Sequence, residues 1–228
     1  MVKGTIREAV AEIIKLNGKD IFKDSKHLSS QSSSNPFKSA KIGDYVKFGS
    51  YPQTSNGDIQ PIEWQVLSIE NCKMLVISRY GLDVKRFDGS SNEWKNSEIR
   101  NWLNGDFYNK AFTDQDKKYI NLSNLSDVGT SDNVFLLSKD EAEKYFANDT
   151  ARQCKATDYA VKNGAWVGSG SWLDGGVSRK GYSKWWLRSP FPNLRDFAYF
   201  LSFGGCLGSC SHVSNVYSLA RSALYINL

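Results

Sequence analysis

Trp185-Trp186-Leu187-Arg188-Ser189-Pro190 reads as a core strand that ends in a turn: two large rings and a leucine in succession, then a polar stop. Short apolar pieces follow it, Ala198-Tyr199-Phe200-Leu201 and Leu219 to Leu228, set among many Gly, Ser, Cys and Asn. Strands joined by loops instead of crossover helices predict an α+β fold in preference to an α/β one. The expected architecture has short strands, a few helices and much irregular chain.

The elements upstream agree with that class. Tyr45-Val46-Lys47-Phe48 predicts a short strand, followed by a turn-like Gly49-Ser50-Tyr51-Pro52-Gln53. Ile62 to Leu67 alternates as a half-buried strand does, and Lys73 to Ser78 is its expected hairpin partner. Ser97 to Phe107 predicts a helix with Ile99, Trp102 and Leu103 on one face. Val134-Phe135-Leu136-Leu137 predicts a short buried strand. Ser138 then caps a helix whose first turn carries Asp140 and Glu141, favourable at the positive end of the helix dipole. Thr157 to Lys162 predicts another short helix, stopped by Asn163-Gly164.

Before this domain the pattern is different. Ile6, Val10, Ile13 and Ile14 fall on one face of a helix expected over Thr5 to Leu16, and Thr5 and Glu8 have capping-box spacing. Such a helix either packs on its own domain or serves docking and homo-oligomerisation. Ser29-Ser30-Gln31-Ser32-Ser33-Ser34-Asn35-Pro36 has the composition of a flexible linker. The expected organisation is a helical segment over 1–28, a Ser-rich linker over 29–40 and one domain over 41–228.

Composition excludes several functions. The chain has 228 residues, 40% apolar and 23% charged, which is globular and long enough for a sizeable core. No apolar run approaches the roughly 20 residues of a membrane span. The first residues, Met1 to Glu8, mix acid and base where a signal peptide is apolar, so a cytoplasmic or virion-associated location is expected. A net charge of +5 with scattered lysines argues against nucleic acid as a partner. Cys72, Cys154, Cys206 and Cys210 form no CxxC pair, and His27 lies far from His212, so no metal or other cofactor is expected.

The tail has an unusual alphabet. Lys, Glu, Gln, Met and Trp together supply 43 of the 228 residues, and none of them occurs in Leu187 to Leu228. Even spreading would place about eight there. Burial accounts for missing Lys and Glu but not for missing Met and Trp. It also conflicts with the polar Asn193, Arg195, Asp196, Ser202, Ser209, Ser211, His212, Ser214 and Asn215. A coding rule accounts for both. Free substitution at the first two bases of an Asn codon ending in a pyrimidine can never write Lys, Glu, Gln, Met, Trp or a stop. Every residue of Phe191 to Ser222 belongs to the set it can write.

In this respect the tail resembles the variable region of proteins diversified by a retroelement, in which template adenines are miscopied. Such regions sit at the C-terminus, and here the region would span about 187–222. A second resemblance is carried by an ordered series of motifs. It runs from Gly43 to Gln53 and Pro61 to Leu67, through Tyr80 to Asp83, Ile99 to Phe112 and Phe135 to Phe146, to Trp185 to Pro190. The series is similar to an uncharacterised bacterial and phage domain family. Its order also resembles the formylglycine-generating-enzyme branch of the C-type lectin-like fold, with Arg221 in place of that branch's C-terminal arginine.

The resemblance implies a non-enzymatic display protein that binds an unknown protein ligand. Scaffold positions would be Trp185, Trp186, Leu187, Ala198, Phe200, Val213, Arg221, Leu224 and Ile226. Display positions would be Phe191, Asn193, Leu194, Arg195, Asp196, Phe197, Phe203, Cys206, Leu207, Ser209, Cys210, Ser211, His212, Ser214, Asn215 and Tyr217, gathered on one solvent-facing patch. Phe191, Arg195, Phe203 and Tyr217 suit energetic anchors. Two alternatives remain open: a formylglycine-generating-type oxidase using Cys206 and Cys210, and a structural module with a loop-rich end. Neither triplet of calcium-dependent lectins, Glu-Pro-Asn or Gln-Pro-Asp, occurs.

Overall fold

Short apolar strands build two five-stranded sheets, with the strand over Ile59–Glu70 partly alternating and those over Lys73–Ser78 and Trp185–Pro190 buried for most of their length. The computed structural model describes residues 35–169 and 180–228. The helix expected over Thr5 to Leu16 and most of the Ser-rich linker therefore lie outside the described residues. The chain divides at Lys38/Ser39, and the unit described below is Ser39–Leu228.

In chain order the strands begin with β1 (Tyr45–Pro52), β2 (Ile59–Glu70), β3 (Lys73–Ser78) and β4 (Asp83–Val84). Helices α1 (Glu98–Trp102), α2 (Tyr108–Ala111) and α3 (Asp114–Lys117) follow, then β5 (Ile120–Asn121), β6 (Ser123–Leu125) and β7 (Thr130–Asp132). Next come α4 (Lys139–Tyr145), α5 (Asp149–Arg152), β8 (Cys154–Lys155), α6 (Asp158–Lys162) and β9 (Tyr182–Ser183). The tail supplies β10 (Trp185–Pro190), β11 (Phe197–Leu201), β12 (Ser209–His212), β13 (Leu219–Ala220) and β14 (Ala223–Asn227). The first sheet has the order β1-β2-β3-β14-β5 and the second β12-β11-β10-β13-β4. Pairing is antiparallel except between β10 and β13. The class is α+β, as the loop-joined strands predict.

The tail thus belongs to both sheets. Leu219–Ala220 closes on β4 and β10, and after Arg221 and Ser222 the chain crosses to pair with β3 along Ala223 to Asn227. The single apolar piece expected over Leu219 to Leu228 is two strands. Arg221, at the crossing, is buried, donates to the Ser78 carbonyl and lies 4.9 Å from the Trp185 ring.

The core is ring-rich, and each of its largest rings is polar-satisfied. Trp64, Trp94, Trp185 and Trp186 are at most 2% exposed. Their indole N–H groups donate to Phe48 O, Asp132 Oδ2, Arg152 O and Lys85 O at 2.7, 2.9, 3.0 and 2.9 Å. A buried indole without a partner would lose a hydrogen bond to water with no return, so these contacts fix where each ring sits.

Two expectations need correction. Gly49 to Pro52 is not a turn: β1 runs through it with a bulge between Lys47 and Ser50. Gly49 has φ +63, and a Cβ there would meet the Phe112 ring at 2.6 Å, so glycine is what the bulge requires. Val134 to Leu137 is buried but joins no ladder; only Phe135 bridges, to Ala223. The helix expected over Ser97 to Phe107 does start at Ser97, whose side chain accepts from Arg100 N–H, and it continues through a π turn to Ala111. Ile99, Leu103, Phe107 and Ala111, spaced by four, are all buried.

Candidate ligand-binding surface

β11 and β12 carry the register that sorts the tail. Phe197 pairs with His212, Ala198 with Ser211, Tyr199 with Cys210 and Phe200 with Ser209. Paired residues share a face and successive residues alternate, so Phe197, Tyr199, Cys210 and His212 lie on one face. Ala198 and Phe200, with Ser209 and Ser211, lie on the other. Ala198 is fully buried, whereas Phe197 and Tyr199 are half-exposed.

None of the display positions is buried. Asn193, Leu194, Arg195, Cys206, His212, Ser214 and Tyr217 are exposed. Phe191, Asp196, Phe197, Phe203, Leu207, Ser209, Cys210, Ser211 and Asn215 are half-buried. Among the scaffold positions, Trp185, Trp186, Leu187, Ala198, Val213, Arg221, Leu224 and Ile226 are buried. Phe200 is the exception. It is half-buried, because it packs 6.5 Å from the Trp186 ring at the margin of the core.

Side-chain contacts join several of the display residues in two groups. In the first, Phe191 lies 4.9 Å from Tyr199 and Phe197 lies 5.6 Å from His212, ring to ring. His212 Nε2 is 3.4 Å from Asp196 Oδ2, and Nδ1 is 2.6 Å from Ser214 Oγ. The turn bearing Asn193, Leu194 and Arg195 closes this cluster. Asn193 sits in the left-handed region at φ 63, a conformation that Asn adopts more readily than most residues.

In the second cluster Phe203 meets the Trp166 ring edge-on at 5.2 Å. Trp166, Lys184, Asn215 and Tyr217 line an open cavity of about 530 Å³ with Gly164 and Ala165. Cys206 belongs to neither grouping: its thiol is 3.3 Å from Asp149 Oδ2. Ser209 and Ser211 face away from Cys210 and His212, as strand alternation requires. Cys206 and Cys210 are both free thiols in these different settings.

The loops between these strands are held by residues that lie outside the tail. Asn92 Nδ2 reaches Leu194 O at 2.9 Å, Phe197 O at 2.8 Å and Phe191 O at 3.2 Å, and Asn92 N–H donates to Arg195 O at 2.7 Å. Arg152 Nε donates to Gly205 O at 2.9 Å. Phe87 N–H donates to Val213 O. Each of these contacts grips the main chain of the tail and leaves its side chains free. The sequence reading did not find Asn92, Arg152, Trp166 or Lys184. The first two act on distant carbonyls and have no periodic or motif signal. Trp166 carried one weak signal, a lone tryptophan next to a predicted helix stop.

Comparison with known proteins places residues 71–227 in the family described as a domain of unknown function (DUF6273). No curated protein and no solved structure matches the chain.

Proposed function

We propose that this chain, which belongs to the DUF6273 family, is a ligand-binding protein whose C-terminal stretch is rewritten by a retroelement while a fixed frame holds it. The observation that carries the reading is the division of labour in the tail. Every residue assigned to display reaches solvent, and Asn92 and Arg152 of the frame hold the loops of the tail through backbone carbonyls. A backbone grip is indifferent to side-chain identity, so the loops keep their course when their residues change. Surface substitutions on such loops cost about 0.5 kcal/mol or less.

The chemistry suits recognition of a protein. Phe191, Phe197, Phe203 and Tyr217 bring rigid contact area, Arg195 a planar donor fork, and the serines adaptable hydrogen bonding. On this reading the short-stranded α+β domain is a C-type lectin-like frame. Among the described residues no helix is long and apolar enough to cross a membrane.

The test is in the gene. Codons for the display residues should end in a pyrimidine, because only their first two bases have been rewritten. Purine-ending codons at several of these positions overturn the reading in favour of a structural module with a loop-rich end.

A further inference from the structure

Lys184 is 9% exposed, and no carboxylate or hydrogen-bond acceptor meets its ammonium among the described residues. Its neighbours are rings: Nζ lies 5.4 Å from the Phe200 centroid and 5.9 Å from that of Trp166. The side chain of Lys184 is buried, but its Nζ is not among the buried atoms that lack a partner, so the ammonium keeps access to water. Here the amine borders the cavity of about 530 Å³, a size within the usual range for small-molecule sites.

The walls around that amine are apolar and aromatic. Trp166 is 59% and Tyr217 54% exposed, so two large rings stand open beside a cation. A second donor adjoins it. Asn215 Oδ1 already accepts from Tyr217 N–H at 2.9 Å and from Ser218 Oγ at 3.3 Å. This fixes the orientation of the amide and leaves its Nδ2 group without a partner among the described residues. Two donors of one site that are open to water and uncommitted to other described residues, next to exposed rings, suit a ligand with complementary parts.

We infer that this cavity binds a small aromatic carboxylate, its ring against Trp166 and Tyr217 and its carboxylate accepting from Lys184 Nζ and Asn215 Nδ2. The anion supplies the charge that Lys184 lacks, and hydrogen bonds to charged groups are the stronger kind. Burial also lowers the Lys184 amine below the ordinary lysine range, which an arriving anion would counteract. The inference deepens the ligand-binding reading by naming a ligand class for its second cluster. It rests on that reading only in taking this surface to receive a ligand, and the encoding of the tail does not enter. Trp166 and Lys184 lie outside the tail and are of types its alphabet cannot write.

The experiment is a calorimetric titration of the full chain with indole-3-acetate and with indole-3-acetamide, its uncharged analogue. Indole-3-acetate should bind saturably and about tenfold tighter than the amide, the worth of one charge-assisted hydrogen bond. Lys184→Gln should abolish that preference, and Trp166→Ala should weaken both ligands. Should Lys184→Gln fail to fold by circular dichroism, Asn215→Asp serves in its place and should reverse the preference. Equal affinity for acid and amide, or no saturable binding of either, overturns the inference. A gene lacking pyrimidine-ending codons would remove the rewriting and leave this titration unaffected.

Discussion

Asn92 Nδ2 stands 2.9 Å from the carbonyl oxygen of Leu194, across more than a hundred residues of chain, and the same amide reaches the carbonyls of Phe191 and Phe197. One framework side chain thereby fixes the whole turn from 191 to 197 without touching any side chain in it. Asn92→Ala should cost about 1–2 kcal/mol in chemical denaturation, since several carbonyls lose their donor at once. Arg195→Ala and Leu194→Ala, on the same turn, should stay within about 0.5 kcal/mol of the parent. A reversal of that order would mean that the side chains hold the loop.

Gly205 is a position of the tail that rewriting cannot change freely. It is buried at φ 81, and a Cβ there would run into the carbonyl oxygen of Asp149. Gly205→Ala should lower stability by roughly 2 kcal/mol or more, from backbone strain and the clash together. Gly208, also at positive φ, has open space around a Cβ, so Gly208→Ala should cost less. Paired thermal melts of the two variants measure the difference.

Arg188 ties β10, the strand on which the tail begins, to the helix over Lys139–Tyr145. Its guanidinium, 2% exposed as a residue, meets Glu141 at 2.6 Å, Asp127 at 2.9 Å and the Leu136 carbonyl at 2.8 Å. Arg188→Met leaves the half-buried Glu141 without its cation and should destabilise by about 3 kcal/mol, read from urea midpoints. Arg188→Lys recovers only part of this, because an ammonium cannot span both carboxylates.

Lys184 makes a pH-dependent prediction. Its folded-state value lies below the unfolded one because burial disfavours the charged form. Between the two values the unfolded chain holds more protons, so this group makes stability rise with pH across that window. The penalty is full below the folded value and gone above the unfolded value of about 10.4. Lys184→Met should therefore raise the melting temperature at pH 7, and the gain should shrink toward pH values above about 10. An advantage that is constant with pH would show that repacking, not charge, is responsible.

Much of the frame was legible because local chemistry and tertiary demand agree. Lys73 to Ser78 is a strand over the expected residues, and Ser138 caps its helix in a full capping box with Glu141. Thr157 caps the helix that Asn163 and Gly164 end. The misreadings arose where a single residue answers to a distant one. Gly49 looked like a turn, but its positive φ serves a bulge packed on Phe112. Val134 to Leu137 is as apolar as a strand, yet it forms only an isolated bridge, from Phe135 to Ala223. In the site, Ala198 is fully buried, while Phe197, expected to face outward, and Phe200, expected to face inward, are both half-buried. The contacts of Trp166 with Phe203 and of Lys184 with Phe200 were not legible, because they form only through the fold.

The most direct measurement is the DNA sequence on either side of the gene. A tail rewritten by a retroelement should have a nearby near-identical repeat of the segment encoding about 187–222, differing from it only where the repeat has adenine, with a reverse transcriptase gene beside it. A flanking sequence with no such repeat, or a repeat whose differences fall equally on all four bases, would contradict that rewriting.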